Sequence, residues 1–374
     1  MEKAEIYRDV KKVLKANHIH VDFYDENIAS RHLLTPVRFI QIILDIEEIL
    51  QMQFPTRDIS LSKLCSIRKI ADFIQSDRGA NRVDAVLRAA EQGSVYYKKF
   101  ITEVKKENPY VSGEVLLRRL PVLRPEDIIQ NRQIIIKREY CFTKKKMLFS
   151  YPILQKEVKT FSVYRSRDEV VCSEIAVWRK RRQWYHLSPF AKGCLLEREE
   201  EIPHQNDIFK DYRMTLLWQN IDSVNYETWH QKMRGFQPDW IQASLEPLIG
   251  YINYCKRNGI LPLSSVRYVE LINVSPSPLE KMQIEEFFSC KVSFLYEYSG
   301  FGSVALSCPE GNLHLLSEAV YVEESRDGCL ILTSLINSVF PLLRYETKDK
   351  GKLVRSDCPG RCREPLLDLL FSIK

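Results

Sequence analysis

The chain of 374 residues predicts a small all-α helical bundle followed by an α/β domain. Three observations carry this. Apolar residues recur at helical spacing through residues 1–80. From residue 116 onward, short β-rich runs alternate with amphipathic helical stretches, the pattern of a largely parallel sheet. Hydrophobic residues at 45% and charged residues at 28% describe a chain able to bury a core. The predicted organisation is a bundle over 1–80, a connecting helical region over 81–115, and the α/β domain over 116–374.

Taken in order, the first helix is predicted over 4–16. A polar loop with Asp25, Glu26 and Asn27 follows. Pro36 suits the first turn of the next helix, where its missing N–H costs nothing. Val37, Ile40, Ile43, Leu44, Ile46, Ile49 and Leu50 then mark one helical face, and Pro55 ends it. A short turn and a last helix account for Ile59 to Ile74. In the connecting region 83–90 is amphipathic, and Tyr96, Tyr97 and Phe100 follow. The α/β domain reads as strand-like runs around Ile134 and at 161–164, then helices over 168–183 and 240–259. A strand over 266–272, a helix over 279–288 and a strand over 292–296 complete that stretch. Residues 329–333 form an apolar strand, Asn337 and Ser338 favour a turn, and 339–343 is a second apolar run in which Pro341 argues against helix. That run leads into a charged cluster at 344–349, and α/β proteins place binding groups where charged residues leave a buried strand.

Composition narrows the function. The net charge is +6, with dense basic runs at 144–146 and 179–182 and no accompanying nucleic-acid motif, so no nucleic-acid partner is expected. No apolar run is long enough to span a bilayer, and the N-terminus is a charged amphipathic helix rather than a signal peptide. A cytoplasmic protein whose cysteines are reduced thiols is expected. Glycine is scarce, at 13 residues, whereas phosphate-cradling loops consume glycine. Neither G-x-S-x-G nor H-E-x-x-H occurs, which leaves nucleophile-based catalysis without support.

One constellation suits a metal. Cys308 and His314 are spaced C-x5-H, and Cys358 and Cys362 are spaced C-x3-C. Zn²⁺ takes four such ligands in a closed tetrahedral structural site. Ordinary buried or free thiols are the alternative.

The stretch LTSLINSVFPLLRYETKD, ending at Asp349, resembles the T-S-L-x-N-x-x-x-P-L-I-R-Y-x-T-G-D segment of adenylate-forming acyl ligases. The nearest branch holds phenylacetate–CoA ligases, capsule-cluster ligases and acyl-protein synthetases. Residues 120–128 are similar to that branch's L-P-x-L-x-K-x-D-I segment, and 296–308 to its Y-G-S-T-E-x-G-x-x-A-x-x-C motif. The resemblance implies that Asp349 holds the ribose of ATP, with Arg344 and Tyr345 gripping the nucleotide. Lys348 stands where the family has glycine. Gly300 stands at the Mg²⁺ glutamate and Ser299 at the threonine, with Glu297 a neighbouring candidate. Where the family has T-S-G-T-T-G-x-P, the chain has a glycine-free segment, Phe149-Ser150-Tyr151-Pro152-Ile153-Leu154-Gln155-Lys156. Such a segment does not wrap a triphosphate by its backbone, because side chains and a missing N–H obstruct the approach. Lys144 to Lys146 would be a substitute phosphate grip. Within these residues no counterpart of the family's C-terminal lid is expected, and a lid from another chain would complete the ligase alternative.

Residues 1–80 resemble an acyl carrier protein, with Leu33-Leu34-Thr35-Pro36-Val37 opening the second helix and Glu47-Glu48-Ile49-Leu50, Phe54-Pro55 and Asp58-Ile59 following. The carrier serine falls on Pro36 and the preceding aspartate on Thr35. Proline has no hydroxyl, so no phosphopantetheine is expected; Thr35 is the one nearby substitute. Together these resemblances imply a degenerate ligase homologue whose ATP·Mg²⁺-dependent activation has been lost. It would act as a binding or scaffold protein in a carrier-dependent biosynthetic pathway, with a carrier protein or partner enzyme and an acyl or amino-acid ligand. The alternative is an active acyl- or aminoacyl-adenylate-forming ligase that transfers to a thiol. Ser299 and Glu297 would then serve the phosphates and metal.

Overall fold

The computed structural model describes residues 2–30, 34–75, 81–140, 149–155, 158–199, 208–354, 358–360 and 362–370. The chain forms two units. The first comprises Met1–Arg179, Ser299–Phe301 and Ser317–Lys348; the second comprises Lys180–Tyr298, Gly302–Leu316 and Asp349–Lys374.

The first unit begins with α1 (Lys3–Ala16), α2 (Pro36–Leu50) and α3 (Ile67–Gln75). Thr35 caps α2, its hydroxyl accepting from the Arg38 N–H at 3.3 Å, and Pro36 is the first helical residue. The apolar face read from the sequence is buried at Val37, Ile40, Ile43, Leu44 and Ile46. Then come α4 (Arg82–Gly93), α5 (Val95–Glu107), α6 (Gly113–Arg119) and α7 (Pro125–Ile135). The strand-like run expected around Ile134 is therefore the last turn of α7. Pro125 and Asp127 start that helix, and Ile128 and Ile135, two turns apart, are buried.

β1 (Phe149–Gln155) and β2 (Val158–Arg165) pair antiparallel, with Gln155 opposite Val158. α8 (Arg167–Tyr185) follows and runs into the second unit. The first unit also holds β10 (Val320–Glu324), β11 (Cys329–Ser334) and the start of β12 (Tyr345–Val354). The expected extended run at 339–343 is not a ladder strand, because other groups take its backbone. Glu169 accepts from the Val339 N–H at 2.8 Å, Lys137 donates to the Val339 carbonyl at 2.8 Å, and the Tyr97 hydroxyl accepts from the Leu343 N–H at 3.1 Å. The charged cluster at 344–349 accordingly opens strand β12 instead of ending a strand.

In the second unit β3 (Gly193–Arg198), β4 (Arg213–Trp218), β5 (Trp240–Ala243), β6 (Tyr268–Ile272) and β7 (Lys291–Tyr298) lie in the order β4-β3-β5-β6-β7, all parallel. Helices α9 (Tyr226–Phe236), α10 (Leu245–Arg257) and α11 (Pro278–Phe288) connect β4 to β7 and pack one apolar core with Leu216, Ile241, Leu248, Ile252 and Ile284. The helix expected over 240–259 thus splits. Trp240 to Ala243 pair with both β3 and β6, and every residue is buried, as in a strand covered on both faces. Arg181 of α8 and Glu270 of β6 form a buried ion pair, which Gln242 and the Tyr268 hydroxyl join. Beyond β7 the pattern turns antiparallel through β8 (Gly302–Ser307), β9 (Leu313–Leu315), β13 (Leu366–Leu370) and the end of β12. The sheet is mixed, and its parallel part is the stretch where strands and helices alternate in sequence.

Candidate metal centre

Four soft ligands converge in the second unit. Cys308 directly follows β8, and a tight turn ends with the Cys308 N–H donating to the Asn312 carbonyl at 2.9 Å. Gly311 makes that turn with a φ of +86°, a conformation side chains disfavour. His314 sits in β9, directly opposite Leu366 of β13. Cys358 and Cys362 lie in the connection between β12 and β13. The ligating atoms of Cys308, His314, Cys358 and Cys362 all lie within 4.8 Å of one another. The Sγ atoms of Cys308 and Cys358 are 3.7 Å apart. Thiolates about 2.3 Å from a central Zn²⁺ in a tetrahedron would be about 3.8 Å apart. Gly360 lies beside the cluster, where a Cβ would sit in ordinary contact, 3.6 Å, with the sulfurs of both Cys358 and Cys362.

The histidine is already oriented. Its Nδ1 lies 3.0 Å from the Glu364 carbonyl, which only accepts, so Nδ1 carries the proton. Nε2 is buried and without a hydrogen-bond partner. A metal-ligating histidine is held this way by its outer partner. Lys180 pairs with the Glu364 carboxylate, and the Trp184 ring lies 5.5 Å from the His314 ring. Asn312 donates to the Cys358 sulfur at 3.4 Å. Burial pushes the Cys358 thiol up, but its contacts with His314, the Gly360 backbone, Cys308 and Asn312 outweigh that and hold it at about 6. Three cysteine sulfurs and an imidazole nitrogen with no other partner, three of the four residues buried, fit a closed Cys₃His zinc site. Sequence spacing named the four residues that the structure brings together. The Glu364 carbonyl and the Asn312 donor lie within a few residues of the cluster cysteines, but their residue types do not announce the role, and the Trp184 cover comes from α8, far along the chain.

The residues named by the ligase resemblance divide between the units. In the second, Asp349 is exposed and accepts from the Tyr296 hydroxyl at 2.7 Å, while Glu297 accepts from Ser303 at 2.9 Å. Burial and the adjacent Asp349 charge both raise the Tyr296 pKa. In the first, Arg344 binds Glu323 at 3.1 Å and the Arg118 carbonyl at 2.8 Å. Tyr345 is fully buried, 5.9 Å from the Phe301 ring. Ser299 is exposed in the turn after β7. Lys144 to Lys146 lie outside the described residues.

The fold is that of adenylate-forming acyl-CoA ligases. In particular, the chain is similar to a 2-hydroxyisobutyryl-CoA ligase solved in an open conformation with 2-HIB-AMP and CoA. The TM-score is 0.61 at 13% identity, over 77% of this chain and 72% of that one. The same ligase in its thioesterification and postadenylation states matches with TM-scores of 0.59 and 0.60, and there the chain covers 65% of the ligase, just under two thirds. At this identity the likeness concerns the fold. The sequence matches no family model and no curated protein. Among the described residues, no helix is long and apolar enough to cross a membrane.

Proposed function

We propose that the chain is a degenerate homologue of adenylate-forming ligases, acting as a binding or scaffold protein in a carrier-dependent biosynthetic pathway. The observation that carries this reading is the β1–β2 hairpin. Phe149–Gln155 and Val158–Arg165 are paired antiparallel strands, and the first of them is the segment that the sequence resemblance sets against the ligases' glycine-rich phosphate loop. A phosphate loop offers successive free N–H groups to its anion, whereas paired strands spend theirs on each other. Gly300 at the Mg²⁺ position and the engagement of Glu297 with Ser303 support the same reading. The carrier-like bundle, with Pro36 at the serine position, supports docking to a carrier protein or partner enzyme that presents an acyl or amino-acid group, without phosphopantetheine on this chain. Zinc in the Cys₃His cluster is part of the reading as a structural centre, since the four protein ligands leave no open position for a substrate.

A second reading, an active acyl- or aminoacyl-adenylate-forming ligase, is favoured by the exposed Asp349 carboxylate. ATP–pyrophosphate exchange over a panel of carboxylic and amino acids separates the two, run beside thermal denaturation with ATP·Mg²⁺. The scaffold reading expects no exchange above background and no shift in melting. Exchange with any acid overturns it.

A further inference from the structure

The four metal-ligating residues come from two stretches that meet along a narrow seam. Cys308 and His314 belong to the β8–β9 side, and Cys358 and Cys362 to the connection that joins β12 to β13. β13 pairs with β12 from Lys350↔Leu370 to Val354↔Leu366. With β9 it is registered at a single position, Leu366↔His314. Beside that position the Leu315 N–H donates to the Pro365 carbonyl at 2.9 Å, and Lys180 pairs with Glu364. Past the seam the hairpin is lightly covered. Lys352, Leu353, Val354 and Asp368 are exposed, and Leu370 is 50% exposed. A segment with few buried apolar contacts opens more easily than a core strand. The parallel strands β4-β3-β5-β6-β7 differ, since α9, α10 and α11 cover them with an apolar core that includes none of the four ligands.

We infer that the ion held by Cys308, His314, Cys358 and Cys362 fastens the β12–β13 hairpin to β8–β9. Its loss releases that hairpin, and Asp349 with it, while the parallel strands stay folded. This rests on the zinc reading of the cluster. An ion that joins residues 50 positions apart, as Cys308 and Cys358 are, closes a long loop, and such a clip removes most freedom from the opened state. On binding, the sulfurs ligate as thiolates and any proton a cysteine still carries goes to solvent, while Nδ1–H of His314 stays on the Glu364 carbonyl and Nε2 is the atom left for the ion. Without the ion, three thiols and a bare nitrogen face one another with only weak hydrogen bonds among them. Among the contacts that then remain are the Leu366↔His314 pair, the Leu315–Pro365 hydrogen bond, the Lys180–Glu364 ion pair and the Tyr296–Asp349 hydrogen bond. Asp349 lies at the near end of the hairpin, so the ion governs whether its carboxylate stays against Tyr296.

The test uses the full chain, purified reduced and without chelator. Zinc per chain is measured by elemental mass spectrometry. Amide exchange is followed before and after chelation, after zinc is restored, and in Cys362→Ser. About one zinc per chain is expected. Stripping should speed exchange in 349–354 and 366–370 by about tenfold or more, with 240–243 and 268–272 unchanged and zinc restoring protection. Cys362→Ser should give the same local pattern with the other three ligands in place. Zinc-bearing protein whose hairpin protection survives stripping overturns the fastening and leaves the metal site standing. Loss of protection throughout β5 and β6 also overturns it. A chain that neither carries zinc nor takes it up when reduced overturns the zinc reading itself.

Discussion

The Tyr296 hydroxyl donates to the Asp349 carboxylate across 2.7 Å, joining the end of β7 to the start of the second unit's part of β12. The carboxylate that the ligase resemblance assigns to a ribose is thus bound by a side chain of the protein itself. Tyr296→Phe keeps the ring and removes the donor. We expect a loss of about 1 kcal/mol, because Asp349 stays in contact with water. ATP·Mg²⁺ should leave the melting temperature of this variant unmoved. A rise with nucleotide, absent in the wild type, would mean that Tyr296 had been masking a working ribose site.

Arg344 separates a structural role from a nucleotide role. It sits in the left-handed region at φ +53° and sends its guanidinium to Glu323 and to the Arg118 and Leu120 carbonyls at the end of α6. Arg344→Ala should cost about 2–3 kcal/mol in urea unfolding. Arg344→Lys should recover only part of this, since an ammonium cannot reproduce the planar fork. Near-normal stability of Arg344→Ala would point back to a ligand-binding task.

Arg179 is the buried hub of the first unit. It pairs with Glu47 of α2 and with Glu318, donates to Thr56 at 2.5 Å, and reaches the Phe54 carbonyl at 2.9 Å. Arg179→Met leaves two carboxylates without their cation. The expected cost is about 3–5 kcal/mol in equilibrium unfolding. A double change, Arg179→Met with Glu47→Leu, should be milder than the sum of the single changes, because it removes a charge that the first variant strands.

Gly193 opens β3 against the indole of Trp240. A Cβ there would come within 2.8 Å of the ring, and Trp240 is fully buried. Gly193→Ala should cost about 1–3 kcal/mol and perturb tryptophan fluorescence. Gly235, in α9, has open space where its Cβ would be. Gly235→Ala should be neutral or stabilise by about 0.5–1 kcal/mol, which makes it the control.

Much of the fold was legible where one period ran long enough. The face of α2 from Val37 to Ile46, helix α11 and strands β6 and β7 follow from local pattern because helical and strand periods leave different spacings of apolar residues. Short apolar runs were read less well. Trp240-Ile241-Gln242-Ala243 has no period that distinguishes a covered strand from a helix start, and the run at 339–343 became irregular because Glu169 and Tyr97 capture its N–H groups from far along the chain.

The sequence by itself determined that helices open the chain ahead of a mixed α/β region, that the segment 149–156 lacks the glycine a phosphate loop needs, and that Cys308–His314 and Cys358–Cys362 carry ligand spacings. Those features depend on residue type and near neighbours alone. The tertiary structure decided that the two ligand pairs meet, that Tyr296 holds Asp349, and that Arg344 anchors carbonyls. Each of those contacts is set by strand register or by packing between distant segments, as Leu366 opposite His314 brings one half of the candidate metal centre to the other. Local pattern specifies which side chains a strand presents; only the closed sheet specifies what they face.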